Sequence, residues 1–246
     1  AKSKYDDSSI KSLKGPDRVR LRPSVIFGSD DIVGCCHSFF EILSNSIDEF
    51  KEGHGNKIIV SYFNDGSVEV QDFGRGIPVD YNEKEKAYNW ELLFCEMYAG
   101  GKYGDTYEFS LGLNGLGLCA TQYASEYMEA EIYNGKYRYE LRFEKGYPVC
   151  KNKEEQVHNT EMKHKPGTRI KWRPDLSVFT DINMPLSYFE DTLKKEAICN
   201  NGLTILLKYQ NPDGSITERT FYYENGISDY LAEITGSDTL TAPQVW

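Results

Sequence analysis

The sequence has no apolar run that approaches the ~20 residues a helix needs to cross a lipid bilayer. Its six cysteines form no C-x-x-C pair and no spacing typical of metal ligands. The N-terminal residues are polar and contain no hydrophobic segment of a secretory signal. We therefore expect a cytoplasmic protein that has no disulfide bonds and no contact with a membrane.

Basic residues are also scarce, since 28 Lys and Arg against 38 Asp and Glu give a formal net charge of −10. Duplex DNA is held mainly by Lys and Arg, which neutralise its phosphates. The chain is therefore a poor candidate for binding DNA by itself, and a nucleic-acid role would be indirect or use other parts of a protein. The length of 246 residues and the 39% hydrophobic content suit one large domain, or one domain and part of another.

Turn signals and apolar periodicity predict an α+β fold with a largely antiparallel sheet that is covered on one face. Three pairs of β-rich segments are separated by the hairpin signals at residues 64–66, 134–135 and 211–214. Helices are predicted over residues 33–51, 89–99, 116–125 and 186–199.

The first 14 residues differ from the rest, because they are small, polar and charged, with Tyr5 and Ile10 as large apolar anchors. This composition predicts an extended arm. Pro16 and Pro23 follow the arm and prevent one uninterrupted helix there.

Three polar residues share one stripe of the predicted helix over residues 33–51. Glu41, Asn45 and Glu49 lie at positions i, i+4 and i+8, beside an apolar stripe that can bury the helix. An isolated stripe of this kind is more often a solvated helix face. Alternatively, it could hold a metal ion, water and phosphate.

Further motifs follow in a defined order. Residues 72–78, Asp-Phe-Gly-Arg-Gly-Ile-Pro, come directly after a strand, where a carboxylate could accept from the amine of a flat ligand. Residues 99–103 and 112–117 are glycine-rich and precede a helix, where backbone N–H groups can bind phosphate or the segment can be an ordinary loop. Gly167 and Thr168 open a strand, and the Thr168 hydroxyl could lie beside the Asp72 carboxylate.

The order of these motifs resembles that of the GHKL ATPase superfamily, which includes type IIA topoisomerase B subunits, Hsp90, MutL and histidine kinases. Residues 5–15, 22–23, 71–78 and 99–103 resemble the N-terminal region of bacterial DNA gyrase B subunits. Topoisomerase IV B subunits are similar at the same motifs. The similarity extends from about residue 5 to at least Gly226. It implies a two-layer GHKL (Bergerat) sandwich, with a mixed, mostly antiparallel sheet and helices on one face.

The resemblance also implies a role for each motif residue. Glu41 corresponds to the general base that activates water against the γ-phosphate of ATP, His37 to a residue that tunes this base, and Asn45 to the Mg²⁺ ligand. Asp72 corresponds to the acceptor of the adenine amino group, which Thr168 assists through a shared water. The other residues expected to contact ATP are Tyr5, Glu49, Arg75, Gly76, Ile77, Pro78, Lys102, Tyr107, Leu113, Asn114, Gly115, Leu116 and Gly117.

Within that set, Glu49 and Arg75 correspond to a pair over one face of the adenine. Lys102 and the backbone of residues 113–117 correspond to a lid over the phosphates, and Tyr107 to a tyrosine of that lid. Tyr5 corresponds to the arm residue that reaches the nucleotide of a neighbouring protomer.

Three positions depart from the gyrase pattern. Asn114 stands where gyrases usually have His, which removes one expected phosphate contact from the lid. Phe73 replaces a usual Asp at a variable position. Residues 24–28, Ser-Val-Ile-Phe-Gly, lack the tyrosine expected there. These departures indicate a divergent B subunit.

The resemblance implies that ATP binding closes the lid and dimerises two B subunits around a DNA segment, and that hydrolysis resets this gate. It implies a gyrase A subunit as partner in an A2B2 complex, with DNA bound through other parts of the protein. We expect a dimerisation arm over residues 1–14, the ATP-binding domain over 15–226 and the start of a transducer domain over 227–246. The transducer lysine that senses the γ-phosphate is expected beyond residue 246, so this chain alone should bind nucleotide with weak or absent turnover.

Two alternatives remain at this point. Another GHKL ATPase of the MutL or Hsp90 type would lack the arm motif and the Ala-Gly-Gly-Lys-Tyr segment at residues 99–103. A non-catalytic nucleotide-binding module would not need to retain both Glu41 and Asn45.

Overall fold

The computed structural model describes residues 12–99, 115–134, 137–149, 156–158 and 166–236. The helices are α1 (Asp17–Arg20), α2 (Pro23–Phe27), α3 (Ile32–Lys51), α4 (Asn89–Cys95), α5 (Gly117–Tyr123), α6 (Leu186–Cys199) and α7 (Ile227–Thr235). The strands are β1 (Lys57–Tyr62), β2 (Val68–Asp72), β3 (Tyr81–Asn82), β4 (Ala87–Tyr88), β5 (Ser125–Tyr133), β6 (Tyr137–Glu144), β7 (Tyr147–Pro148), β8 (Gln156–His158), β9 (Gly167–Pro174), β10 (Thr204–Gln210) and β11 (Ile216–Phe221).

Nine strands form one sheet in the order β11-β10-β1-β2-β9-β5-β6-β7, and β8 pairs with β6. The β1–β10 pairing is parallel, and the other pairings described in this sheet are antiparallel. The predicted α+β class with a mixed, mostly antiparallel sheet is therefore confirmed. The three hairpins β1–β2, β5–β6 and β10–β11 also lie where the turn signals predicted them.

The sheet has one buried face and one charged face, as the alternation along β9 illustrates. Ile170 and Trp172 are buried, whereas Arg169 and its alternate neighbours are half-buried on the opposite face. Arg169 lies between Glu69 of β2, at 2.7 Å, and Glu131 of β5. Cross-strand ion pairs thus line the face that does not carry the core.

The buried face is covered by α3 and α6, which meet in an aromatic cluster. Phe39 of α3 and Phe189 of α6 have ring centroids 5.0 Å apart in an edge-to-face arrangement. Tyr62 of β1 lies 5.3 Å from Phe189 and stacks on Tyr209 of β10 at 4.8 Å. This cluster fixes both helices on the parallel pair of strands.

Helix α3 is the longest described helix, and both of its ends have a local cause. The Asp31 carboxylate accepts a hydrogen bond from the Val33 N–H at 2.9 Å and so caps the first turn. The helix ends at Lys51, and Gly53 then adopts a left-handed conformation with φ 84°. The predicted range 33–51 is confirmed to within one residue.

Two predicted helices are shorter than expected. The predicted helix 89–99 ends at Cys95, because Glu96 is extended and Tyr98 is left-handed with φ 67°, and the Tyr98 N–H donates to Gly115 O. The predicted helix 116–125 ends at Tyr123, since the chain turns at Ala124 to enter β5. By contrast, α6 spans the predicted residues 186–199, and two short helices replace a single one after Pro16.

Helix α7 packs against α6 through its polar side chains. Glu233 accepts hydrogen bonds from Lys194 at 2.7 Å and from the Tyr223 hydroxyl at 2.6 Å. None of the α7 side chains, all of which are described, is buried. A separate domain that starts at residue 227 stays a prediction. No helix in the described parts of the chain is both long and apolar enough to cross a membrane.

The aromatic cluster should dominate the stability of this helix–sheet interface. We expect Phe189→Ala to lower the free energy of unfolding by about 3–5 kcal/mol, because Phe189 is fully buried and its removal leaves a cavity. Val25→Ala is the matched control, since Val25 is 78% exposed and its loss should change stability by less than about 0.5 kcal/mol. Urea unfolding followed by circular dichroism measures both values, and equal small effects would contradict the assigned core.

Candidate functional site

Asp72, the last residue of β2, is a buried carboxylate with three hydrogen-bond donors. Its Oδ1 accepts from the N–H groups of Gly74 at 3.0 Å and Thr168 at 3.1 Å. Its Oδ2 accepts from the Ser46 hydroxyl on α3 at 3.0 Å. The side chain thus joins β2, β9 and α3, and no further donor among the described residues takes the second acceptor position on Oδ2.

The burial of Asp72 changes its acidity. Loss of hydration raises the pKa of the Asp72 carboxyl from 3.8 to about 6, and the nearby charge of Glu49 adds to the rise. The hydrogen bonds from Gly74, Thr168 and Ser46 act in the opposite direction, because they favour the ionised form. A carboxylate with so perturbed an acidity is typical of a binding or catalytic site.

Glu49 and Arg75 form a tight ion pair next to Asp72. Arg75 donates from Nε to Glu49 Oε2 at 3.1 Å and from a terminal nitrogen to Oε1 at 2.8 Å, a two-pronged contact. Its backbone N–H also donates to Oε2, and Glu52 accepts from the same guanidinium. Burial opposes ionisation of Glu49, but the Arg75 contacts outweigh it and lower the pKa of Glu49.

His37 and Glu41 form a second pair, two turns of α3 before Glu49. His37 Nε2 lies 3.1 Å from Glu41 Oε1, and its Nδ1 lies 3.2 Å from Phe27 O. The ring thus lies between a carbonyl and a carboxylate, both of which are hydrogen-bond acceptors. His37 thus contacts the Glu41 carboxylate, and its role in tuning Glu41 stays a prediction.

Gly117 opens α5 directly against Glu41. A Cβ atom at position 117 would lie 2.0 Å from Glu41 Oε2, so any larger residue would displace the carboxylate. Of the glycine-rich residues before this helix, Gly115 and Leu116 are described, and their carbonyls accept from Tyr98 N and Ala120 N. The start of α5 thus lies next to the predicted general base.

Asn45 lies between the two pairs and is half-buried, as Glu41 and Glu49 are. Its Nδ2 donates to Glu41 O at 3.1 Å, which commits the amide nitrogen to the helix and leaves Oδ1 as an acceptor. Such an oxygen suits Mg²⁺, which commonly takes one or two protein ligands and fills its octahedron with water and phosphate oxygens. No three His, Cys, Asp or Glu side chains converge on a metal position within the described residues.

The turn after Asp72 packs against the start of β9. Thr168 Oγ1 accepts from the Ile77 N–H at 3.2 Å, so its backbone N–H, and not its hydroxyl, is the group that bonds Asp72. The expectation that the Thr168 hydroxyl lies beside the Asp72 carboxylate and acts through a shared water stays a prediction. Gly76 has φ 83°, and a Cβ there would lie 2.5 Å from Tyr133 O. Ile77 is half-buried and Pro78 is exposed.

The predicted site residues in the described ranges therefore fall into one neighbourhood along α3, the 72–78 turn, β9 and the start of α5. The remaining predicted residues lie outside the described residues and their contacts are not assigned: Tyr5, Lys102, Tyr107, Leu113 and Asn114.

Sequence reasoning missed three partners, which are Ser46 on Asp72, Glu52 on Arg75 and the Phe27 carbonyl on His37. The sequence feature that indicates a partner for Ser46 is its position as a polar residue within the apolar stripe of α3. The signal is weak, since Ser38 and Ser44 are also buried on α3.

Comparison with known proteins identifies similar sequences and structures. Residues 30–178 match the family described as histidine kinase-, DNA gyrase B-, and HSP90-like ATPase. The chain is 35% identical over 229 residues to the DNA gyrase B subunit of Thermotoga maritima, which covers 93% of the chain and 35% of that protein. It is 32% identical to the DNA topoisomerase 4 B subunit of Streptococcus pneumoniae, with 98% of the chain and 37% of that protein covered.

Solved structures give the same result. The 43K ATPase domain of Thermus thermophilus gyrase B, solved with an aminocoumarin, is similar with a TM-score of 0.74 and 26% identity, over 92% of this chain and 56% of that one. The topoisomerase IV ATP-binding domain of Francisella tularensis, solved with a small-molecule inhibitor, also has a TM-score of 0.74, with 27% identity over 96% and 61% of the two chains. The chain spans about a third of the length of the curated relatives that it matches. The chain belongs to the family of histidine kinase-, DNA gyrase B- and HSP90-like ATPases.

Proposed function

We propose that this chain binds and hydrolyses ATP as the ATPase region of a type IIA topoisomerase B subunit, from a gyrase or a topoisomerase IV. The observation that carries this proposal is the Asp72 carboxylate, which is buried and keeps one acceptor position on Oδ2. The two B-subunit types among the relatives support the choice of this protein class.

At the purine end, the ionised Asp72 carboxylate would accept a hydrogen bond from the 6-amino group of adenine. Thr168, whose hydroxyl is shared with the Ile77 N–H, would take part through a bridging water. Glu49 and Arg75 form a rigid, paired surface that would cover one face of the base, with Ile77 and Pro78 at its edge.

At the phosphate end, Glu41 would act as general base. The oxygen of a water molecule attacks the γ-phosphorus, the bond to the β–γ bridging oxygen breaks, and the proton of the water passes to Glu41. His37 orients Glu41 for this transfer. Asn45 Oδ1 would hold Mg²⁺, which neutralises charge on the phosphate oxygens. The glycine-rich residues before α5 would supply backbone donors to the same phosphates.

In the whole protein, ATP binding would dimerise two B subunits through the arm of residues 1–14, and residues from 227 onward would begin the transducer domain. An A subunit would complete an A2B2 complex and contact DNA together with other parts of the B subunit. Such a protein acts on chromosomal DNA and is therefore expected in the cytoplasm. The net charge of −10 is consistent with DNA contacts outside this chain.

The nucleotide assignment is tested by Asp72→Asn in this chain. The amide would still accept from Gly74 and Thr168 through Oδ1, but its Nδ2 would present a donor to the adenine amine. We expect binding of a non-hydrolysable ATP analogue to fall by at least about 100-fold, because a donor faces a donor. Isothermal titration with and without Mg²⁺ measures this, and wild-type affinity in the variant would contradict the role of Asp72.

The same substitution should stabilise the unliganded fold in a pH-dependent way. The folded-state pKa of Asp72 lies above its unfolded value, so ionisation costs stability as pH rises from about 4 to about 6. The rise of the pKa from 3.8 to about 6 corresponds to a destabilisation of the folded state by about 3 kcal/mol. This destabilisation is fully present at pH 7 and absent well below pH 4. Urea unfolding of wild type and Asp72→Asn at pH 4, 5, 6 and 7 should therefore show a widening difference. A difference that stays constant over this range would refute the acidity assigned to Asp72.

Glu41→Gln should separate binding from chemistry. The amide keeps the size of the side chain but cannot take a proton, so we expect phosphate release by the whole protein to fall by at least about 100-fold. Binding of ADP to this chain should change by less than about threefold. Glu52→Gln is the control, because the Glu52 side chain contacts only Arg75 among the described residues, and the substitution should leave phosphate release within about threefold. Undiminished phosphate release in Glu41→Gln would rule out Glu41 as the base.

A further inference from the structure

Ser46 makes an unusual contact for a serine within a helix. The hydroxyls of Ser38 and Ser44 on the same helix donate to backbone carbonyls of their own helix, Cys35 O at 2.7 Å and Glu41 O at 3.0 Å. The Ser46 hydroxyl instead donates to Asp72 Oδ2 at 3.0 Å, across the boundary between helix and sheet. Ser46 is 6% exposed, so this contact replaces water on the carboxylate.

The contact decides how many acceptor positions Asp72 offers. An ionised carboxylate has about four lone-pair positions, and both Gly74 and Thr168 donate to Oδ1. Ser46 takes one position on Oδ2 and leaves one. Because the Ser46 proton is committed to Asp72, the hydroxyl itself offers a ligand only acceptor lone pairs.

We propose that Ser46 is a positioning residue that makes the purine site selective for an exocyclic amine, by fixing Asp72 with a single free acceptor on Oδ2. A 6-amino purine presents a donor to this acceptor. A 6-oxo purine presents a carbonyl oxygen, which is an acceptor and cannot donate to Asp72 Oδ2. Binding of this base would therefore leave a buried carboxylate oxygen unpaired. This inference rests on the proposed nucleotide-binding function.

Ser46 also keeps Asp72 in the form that selects the amine. The donor favours the ionised carboxylate, whereas burial and the charge of Glu49 oppose ionisation. Glu49 acts from α3 and is itself paired with Arg75, while the contacts from β9 and from the turn are backbone N–H groups. Loss of the Ser46 hydroxyl therefore raises the pKa of Asp72, and the protonated carboxyl becomes a donor that fits a 6-oxo purine.

The test compares Ser46→Ala with Ser44→Ala, a matched loss of a buried hydroxyl on the same helix. ADP and inosine diphosphate are titrated calorimetrically into this chain at pH 6, 7 and 8. Loss of one hydrogen bond to the ionised Asp72 carboxylate should raise the pH below which ADP binding weakens by about one pH unit. For Ser46→Ala we expect ADP affinity to be nearly unchanged at pH 8, about twofold lower at pH 7 and about fivefold lower at pH 6.

The preference for ADP over inosine diphosphate should fall in Ser46→Ala, most at pH 6, and Ser44→Ala should match wild type throughout. Ser46→Cys retains a weak donor and should give an intermediate shift. If Ser46→Ala loses ADP affinity equally at all three pH values, or if its pH dependence of ADP affinity equals that of wild type, the role of Ser46 is overturned. The proposed function is still upheld in that case, provided that wild type binds ADP. Absence of ADP binding by wild type overturns the proposed function and this inference with it.

Discussion

The arrangement of the site depends on the hydrogen bonds that the buried Asp72 carboxylate accepts. Its three donors come from α3, from the turn after β2 and from β9, which are far apart in sequence. Burying a charge is costly unless hydrogen bonds compensate it. The three donors offset part of this cost, and only when helix, turn and strand are all in place, so the carboxylate links the assembly of the fold to the chemistry of the site.

Helix α3 serves both the core and the site because its two faces differ. Phe39, Ile42, Leu43 and Ile47 are almost completely buried against the sheet and α6. The adjacent face is half-buried and carries Glu41, Asn45 and Glu49 at intervals of four residues, about 6 Å apart along the helix. The helix thus separates the Glu41 carboxylate, which contacts His37, from the Glu49 carboxylate, which is paired with Arg75.

Local signals predicted most of the fold. The bounds of α6 and the three hairpins follow from apolar periodicity and turn residues, and the bounds of α3 were correct to one residue. The early end of α4 was not predictable, because it depends on the contact between Tyr98 and Gly115, which comes from a distant part of the chain. At the site, the roles of Glu41, Asn45, Glu49 and Asp72 come from the family resemblance and stay predictions, whereas the structure places these four residues in one neighbourhood. The bond from Ser46 could not be predicted, since it depends on how α3 crosses the end of β2.

We propose that one free acceptor on Asp72 binds the purine amine, and that Asn45 and Glu41 face the phosphates at the other end of the site. A crystal structure of the chain with a non-hydrolysable ATP analogue and Mg²⁺ tests this most directly. The adenine 6-amino nitrogen is expected within hydrogen-bond distance of Asp72 Oδ2, and the Mg²⁺ ion is expected on Asn45 Oδ1. A nucleotide bound with its base away from Asp72, or with Mg²⁺ held by other residues, would contradict it.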